Sequence, residues 1–239
     1  MRDDPIVEMR SVVKNYNALR PLRVVELSIA AGVRVAVAGI DAPGAEVMLN
    51  LVTGASLPDQ GEIRVFGRST SAVSDGDEWL ASLDRFGIVS ERAVLLEGAT
   101  LMQNLALPFA LEIDPVPPDT IARVEALADE CEIPRGHLAQ RAGDAPAQIR
   151  TRVHLARAIA LNPWLLLMEH PTATLEESAR TPFGEVVARV CDRRTLTMLA
   201  VTQDLQFAAA AAHETLTLQG ATGRLVAAKR SWWRRSGNN

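Results

Sequence analysis

Gly39 and Gly44 stand at the two ends of GIDAPG, inside the stretch GIDAPGAEV at residues 39–47. Glycines at that spacing, between a strand and a helix, let backbone N–H groups turn inward around a phosphate. The complete chemistry asks for two more side chains: a lysine to meet the outer phosphates, then a Ser or Thr hydroxyl to bind Mg²⁺. Here Ala45 takes the lysine's place and Glu46 the hydroxyl's. Pro43 has no N–H to contribute, and Asp41 adds a second acid. The lysine's +1 gives way to −2 from Asp41 and Glu46. A unit-charge contact near 4 Å is worth up to roughly 4 kcal/mol at an effective dielectric of about 20. Losing one attraction and gaining two repulsions removes several decades of affinity for a polyanion. The stretch predicts a phosphate loop in shape, without the charge that makes one bind tightly.

The flanking residues supply the elements such a loop needs. RVAVAG (residues 34–39) is a short apolar run that stops at Gly39, and AEVMLNLVTG spaces Val47, Leu51 and Val52 for one helical face before Gly54. Upstream, IVEMRSVVKNY and VVELSIAAG alternate as antiparallel strands, and GEIRVFG reads as another strand bounded by glycines. Residues 80–141 read as mostly helical, broken by Pro108 and by DPVPPD at 114–119. AQIRTRVHLARAIALNP forms a helix that ends before Pro163, and WLLLMEHP has the continuous apolar run of a buried parallel strand. A helix over TPFGEVVARVC, a strand over TLTMLAVTQD, an alanine-rich helix over LQFAAAAAHE and a closing hairpin over TLTLQGATGRLVA follow. Alternating strands and helices imply right-handed βαβ crossovers and a parallel sheet, hence an α/β fold.

Composition narrows the function classes. A formal charge of −4 gives no long-range pull toward nucleic acid. The two cysteines, Cys131 and Cys191, lack metal-ligand spacing and suit a reducing compartment. No metal site is expected. No apolar run approaches the ~20 residues of a membrane helix, and MRDDPIVEM lacks the pattern of a signal peptide. The expectation is a cytoplasmic protein. The end of the chain, KRSWWRRSGNN, sets Lys229, Arg230, Arg234 and Arg235 beside Trp232 and Trp233. It suits a membrane interface or an acidic partner, or else is a solvated tail.

Several stretches together resemble the nucleotide-binding domain of ABC transporters, over residues 5–228 and in the family's order. VVKNYNALRPLRVVELSIAAG resembles its first strands, LNLVTGASLPDQGEIRVFGRS the helix and strand after its phosphate loop, and TRVHLARAIALNPWLLLMEHPTATLE its signature helix, Walker B strand and D-loop. The resemblance implies a P-loop NTPase-like parallel sheet core with an antiparallel β edge subdomain and a helical subdomain at about residues 92–150. It also implies one domain over 1–228, followed by the tail at 229–239.

The resemblance places functional positions residue by residue, and most depart from the family pattern. Tyr16 falls where an aromatic stacks on adenine. Glu91 replaces the glutamine that touches Mg²⁺ and the γ-phosphate. Glu169 stands for the Walker B aspartate, and His170 for the glutamate that polarises the attacking water. His170 has the intrinsic pKa of a general base, but with no phosphate cradle it reads as a packed, hydrogen-bonded structural histidine. Gln203 replaces the switch histidine and carries no charge. Ala145, Pro146, Ala147 and Gln148 occupy the signature, where no glycine remains. His137, His154 and His213 are read as solvated or structural.

The loss of so many stations together implies a pseudo-ATPase: a degenerate nucleotide site with ATP and Mg²⁺ bound weakly if at all, and no catalytic residue at work. The expected role is structural or regulatory, on the inner face of a membrane beside a transmembrane permease and a second ABC ATPase subunit. The apolar residues of 91–110 would dock on the permease. The competing readings are an atypical ATPase, in which Glu46, Glu169 and His170 sustain slow hydrolysis, and a soluble protein-binding scaffold.

Overall fold

The first strand alternates Val7 and Met9 inward, then shifts phase to Val12. The computed structural model, which describes residues 5–72, 76–90 and 92–228, shows why. Ser11 takes φ 51° and the pairing slips between Arg10 and Val13, so a bulge resets the register. This strand, β1 (Pro5–Lys14), joins β2 (Leu22–Ala30), and later β4 (Gln60–Val65) and β5 (Arg68–Ser69), in an antiparallel sheet of order β2-β1-β4-β5. Between them in sequence come β3 (Arg34–Ala38) and α1 (Ala42–Thr53).

The second sheet contains β3, β6 (Phe86–Val89), β7 (Leu165–Glu169), β8 (Thr197–Val201), β9 (Glu214–Gln219) and β10 (Arg224–Ala227), in the order β10-β9-β3-β8-β7-β6. All its pairings are parallel except that of β9 with β10. Both faces are covered, which is why its central strands read as unbroken apolar runs. Val35, Val37, Leu165, Leu167, Leu199 and Val201 face α1 and the antiparallel sheet. Their alternates Ala36, Leu166, Met168, Met198 and Ala200 face the remaining helices. Those helices are α3 (Leu101–Ala106), α4 (Pro118–Glu130), α5 (Ala147–Ile159), α6 (Glu177–Arg194) and α7 (Leu205–Ala211), whereas α2 (Gly76–Leu83) lies beside the end of α1, where the Trp79 indole N–H donates to the Thr53 carbonyl. Among the described residues no helix is long and apolar enough to cross a membrane.

The segment at 80–141 departs from the expectation of mostly helix. Phe86–Val89 is a strand, paired in parallel with β7. Its four residues are too few to show a period. Gly87 marks it only in three dimensions, because a Cβ there would lie 2.4 Å from the Ala158 carbonyl of α5. Elsewhere in the segment the helices α3 and α4 are joined by long turns and loops, at 92–100 and 107–117. α3 opens with a capping box between Thr100 and Gln103, and the fully buried Asn104 satisfies its amide on Leu96 and Thr100. An ion pair with both partners mostly buried, Arg194 to Glu130 at 2.5 Å, ties α6 to α4. The tail at 229–239 lies outside the described residues.

Candidate functional site

The C-terminal ends of β3, β7 and β8 converge where open α/β sheets place their ligands, and the loop at 39–47 crosses those ends. Gly39 has φ 84°, and a Cβ on it would come within 2.7 Å of the Leu218 carbonyl, so only glycine turns the chain there. The chain then enters α1 at Ala42, with Asp41 as its N-cap. The Asp41 carboxylate accepts the Gly44 N–H at 2.9 Å, and the Asp41 carbonyl accepts the Ala45 N–H at 2.8 Å. A helix start leaves four N–H groups without partners. In this one Pro43 has none and Gly44 gives its own to Asp41, so the loop turns its donors onto its own acid.

Tyr16 closes over the same spot. Its hydroxyl donates to Asp41 Oδ1 at 3.3 Å, and a Cβ on Gly44 would sit 3.0 Å from that hydroxyl and 2.7 Å from the carboxylate. Burial, then the neighbouring Asp41 charge, raises the Tyr16 pKa above its ordinary value. On the far side, the Gln203 amide donates to the Ile40 carbonyl at 2.5 Å, fastening the end of β8 to the loop. Asp41→Ala is expected to cost about 1 kcal/mol through the lost cap. Urea unfolding followed by circular dichroism measures it, and Asp41→Asn, which keeps an acceptor, should recover most of the loss.

The acids at 46 and 169 meet around a cation that the sequence reading passed over. The Arg92 guanidinium pairs with Glu46 Oε1 through one terminal nitrogen and with Glu169 Oε2, at 2.8 Å, through the other. Ser90 donates to the same Glu169 oxygen at 3.0 Å and accepts from Arg92 Nε at 3.3 Å. Glu169 keeps only 14% of its side chain exposed, whereas Glu46 and Arg92 keep 47% each. The desolvated arm to Glu169 is therefore the stronger one. The signal in the sequence was charge balance: two acids brought together at the end of a sheet need a cation, and Arg92 is within IVSERAVLL. Its neighbour Glu91 lies outside the described residues.

His170 departs from the expectation of a hydrogen-bonded histidine. Its backbone is held at φ 42°, with its N–H on the Val201 carbonyl, but its Nε2 is buried without a partner. Ala145–Gln148 stand at the start of α5, apart from the loop's hydrogen bonds. Pro146 is the N-cap and no side chain caps that start. Of the sequence-chosen positions, then, Tyr16, Asp41 and Gly44 form one cluster and Glu46 and Glu169 another. Among the described residues no group of His, Cys, Asp and Glu is arranged to hold a metal ion.

His154, on the α5 face toward this site, is half-buried. Desolvation first, then Arg157 and Arg150, push its pKa down to about 4, against a smaller opposing bond to the Ala93 carbonyl. Its unfolded pKa is near 6.5. Below that value the unfolded chain takes up the proton first, so stability is full above about pH 6.5 and falls as pH drops toward about 4. Urea midpoints at about pH 7 and about pH 5 should show this fall, and His154→Gln should flatten it.

Comparison with known proteins agrees with this fold. The profile of the ABC transporter family matches residues 22–173. The Fe(3+) ions import ATP-binding protein FbpC of Serratia marcescens is 28% identical over 221 residues, covering 92% of this chain and 61% of its own length. The lipoprotein-releasing system ATP-binding protein LolD of Alcanivorax borkumensis is 27% identical over 213 residues, covering 86% and 91%. The chain thus spans less than two thirds of FbpC but nearly all of LolD. Among solved structures, the bacterial ABC transporter cassette MJ0796, a dimer, superposes with a TM-score of 0.73 at 20% identity, covering 92% of this chain and 96% of its own. With the family profile over most of its length and the cassette's sheet and loop arrangement in place, this chain belongs to the ABC transporter family, as an ATP-binding cassette.

Proposed function

We propose that this cassette is a non-catalytic subunit of a membrane transport complex, serving a structural or regulatory role on the inner face of the membrane. The observation that carries the reading is Arg92. Its guanidinium takes the ground between Glu46 and Glu169, the two side chains that would face the family's Mg²⁺. The residues present do not fit a magnesium-bound triphosphate. The loop's Asp41 uses the Gly44 N–H, Ala45 brings no cation, and Arg92 already bridges Glu46 and Glu169. No hydrolytic step is derived from them. His170 has no phosphate to serve, and Gln203 is committed to Ile40.

The partners follow from family membership: a transmembrane permease and a second ABC ATPase. An apolar groove of about 370 Å³ supports the first, with Ile88, Leu107, Pro108 and Leu161 in its wall. Ile88 and Leu161 are exposed there, as are Val94 and Leu96 beside it, while Leu101 and Leu105 of the same apolar run belong to the core. The test is ATP hydrolysis by the purified chain, alone and co-purified with its permease. The reading expects turnover no higher than that of a Glu169→Ala control. Turnover well above that control would make the chain an atypical ATPase, and purification without any membrane partner would make it a scaffold.

A further inference from the structure

Glu169 and His170 also border a second space. A cavity of about 290 Å³ opens between the end of β6, the loop that follows it, α5 and the segment after β7. Val89 and Leu95 give it an apolar wall, and Glu97, Arg150, His154 and His170 line it as well. Arg150 is half-buried and Glu97 lies at the exposed rim. Among the described residues neither side chain makes a hydrogen bond or an ion pair, with the other or with anything else. A half-buried guanidinium without a counter-charge is costly to keep. Two further groups at the wall are unserved: His154 Nδ1 and His170 Nε2 are buried without a partner. His170 is held in left-handed backbone, the kind of local strain that collects at functional sites.

We propose that this cavity binds a small zwitterion of the α-amino-acid type, with its carboxylate on Arg150, its ammonium toward Glu97 and its apolar side chain against Val89 and Leu95. Opposite charges that line one cavity yet stand too far apart to pair suit a molecule carrying both complements. A plain carboxylate would leave Glu97 facing it, and a plain amine would leave Arg150 unmet. A metal ion lacks a ligand set among the described residues. The volume lies at the small end of ligand sites, too small for a nucleoside triphosphate. The inference stands whether or not the neighbouring site hydrolyses ATP.

The experiment is calorimetric titration of the purified full chain, without nucleotide, against each apolar L-α-amino acid at millimolar concentration. Melting curves run in parallel. At least one should give saturable heat and raise the melting temperature. Arg150→Ala and Glu97→Gln should each weaken it about 10- to 100-fold, the worth of one charge-assisted contact. The same molecule without its amine, or without its carboxylate, should fail. Both substitutions remove side chains without partners, so the unliganded melting temperature should not fall, and for Arg150→Ala should rise if it moves, which separates lost binding from lost folding. Absence of binding by every amino acid overturns the proposal. So does binding indifferent to both substitutions, or an amine-free carboxylate that binds as well.

Discussion

Replacing Arg92 with alanine is expected to turn a site indifferent to divalent cations into one that binds them. In the native chain the guanidinium holds one oxygen of Glu46 and one of Glu169, and the Ser90 hydroxyl points at the latter. Its removal leaves two carboxylates converging without a counter-charge, a hard-oxygen set that suits Mg²⁺ or Mn²⁺. Two effects should appear together. Without added metal the variant loses about 1–3 kcal/mol, mostly through Glu169, because the half-exposed Glu46 arm is worth little. With Mn²⁺ the variant regains stability as ligand binding shifts the equilibrium, while the native chain does not respond. Melting curves with and without millimolar Mn²⁺ decide it. A native chain that responds to Mn²⁺ as strongly as the variant would mean that Arg92 does not stand in for the ion.

Gly39→Ala should be the most destabilising single change at the loop, at about 2–5 kcal/mol. Two costs combine. Alanine at φ 84° pays the left-handed penalty of about 1–2 kcal/mol. Its methyl would also meet the Leu218 carbonyl at 2.7 Å and Thr217 Cγ2 at 3.3 Å. Both neighbours belong to β9, which pairs with β3, so relief must disturb the sheet at a typical overpacking cost of about 1–3 kcal/mol. Against a domain stability of about 5–15 kcal/mol the variant folds poorly. Gly98→Ala is the control. Nothing lies within 4 Å of a Cβ at Gly98, so its change should stay within about 0.5 kcal/mol. Urea midpoints of the two variants check the contrast.

How far the chain could be read in advance depended on the kind of interaction. The buried strands β3, β7 and β8 were legible because a sheet covered on both faces needs unbroken apolar runs, and Gly54 was legible as the stop of α1 because glycine takes the left-handed cap at least cost. β6 was not, since four residues carry no period and its identity comes from pairing with β7. At the site, Asp41, Ala45 and Glu46 could be judged from charge and donor count. What those residues do instead could not. The Tyr16 hydroxyl on Asp41 and the two arms of the Arg92 bridge join positions 25, 46 and 77 residues apart, distances that only the fold closes. His170 shows the opposite failure: a histidine in a packed setting was expected to find a partner, and its Nε2 has none.

The most direct test of the central claim is calorimetric titration of Mg·ATP into the native chain. A loop whose Gly44 donor serves Asp41, beside a guanidinium that already occupies the ground between Glu46 and Glu169, predicts no saturable heat at micromolar nucleotide. A micromolar dissociation constant, lost on Glu169→Ala, would contradict it and place this chain among working ATP-binding cassettes.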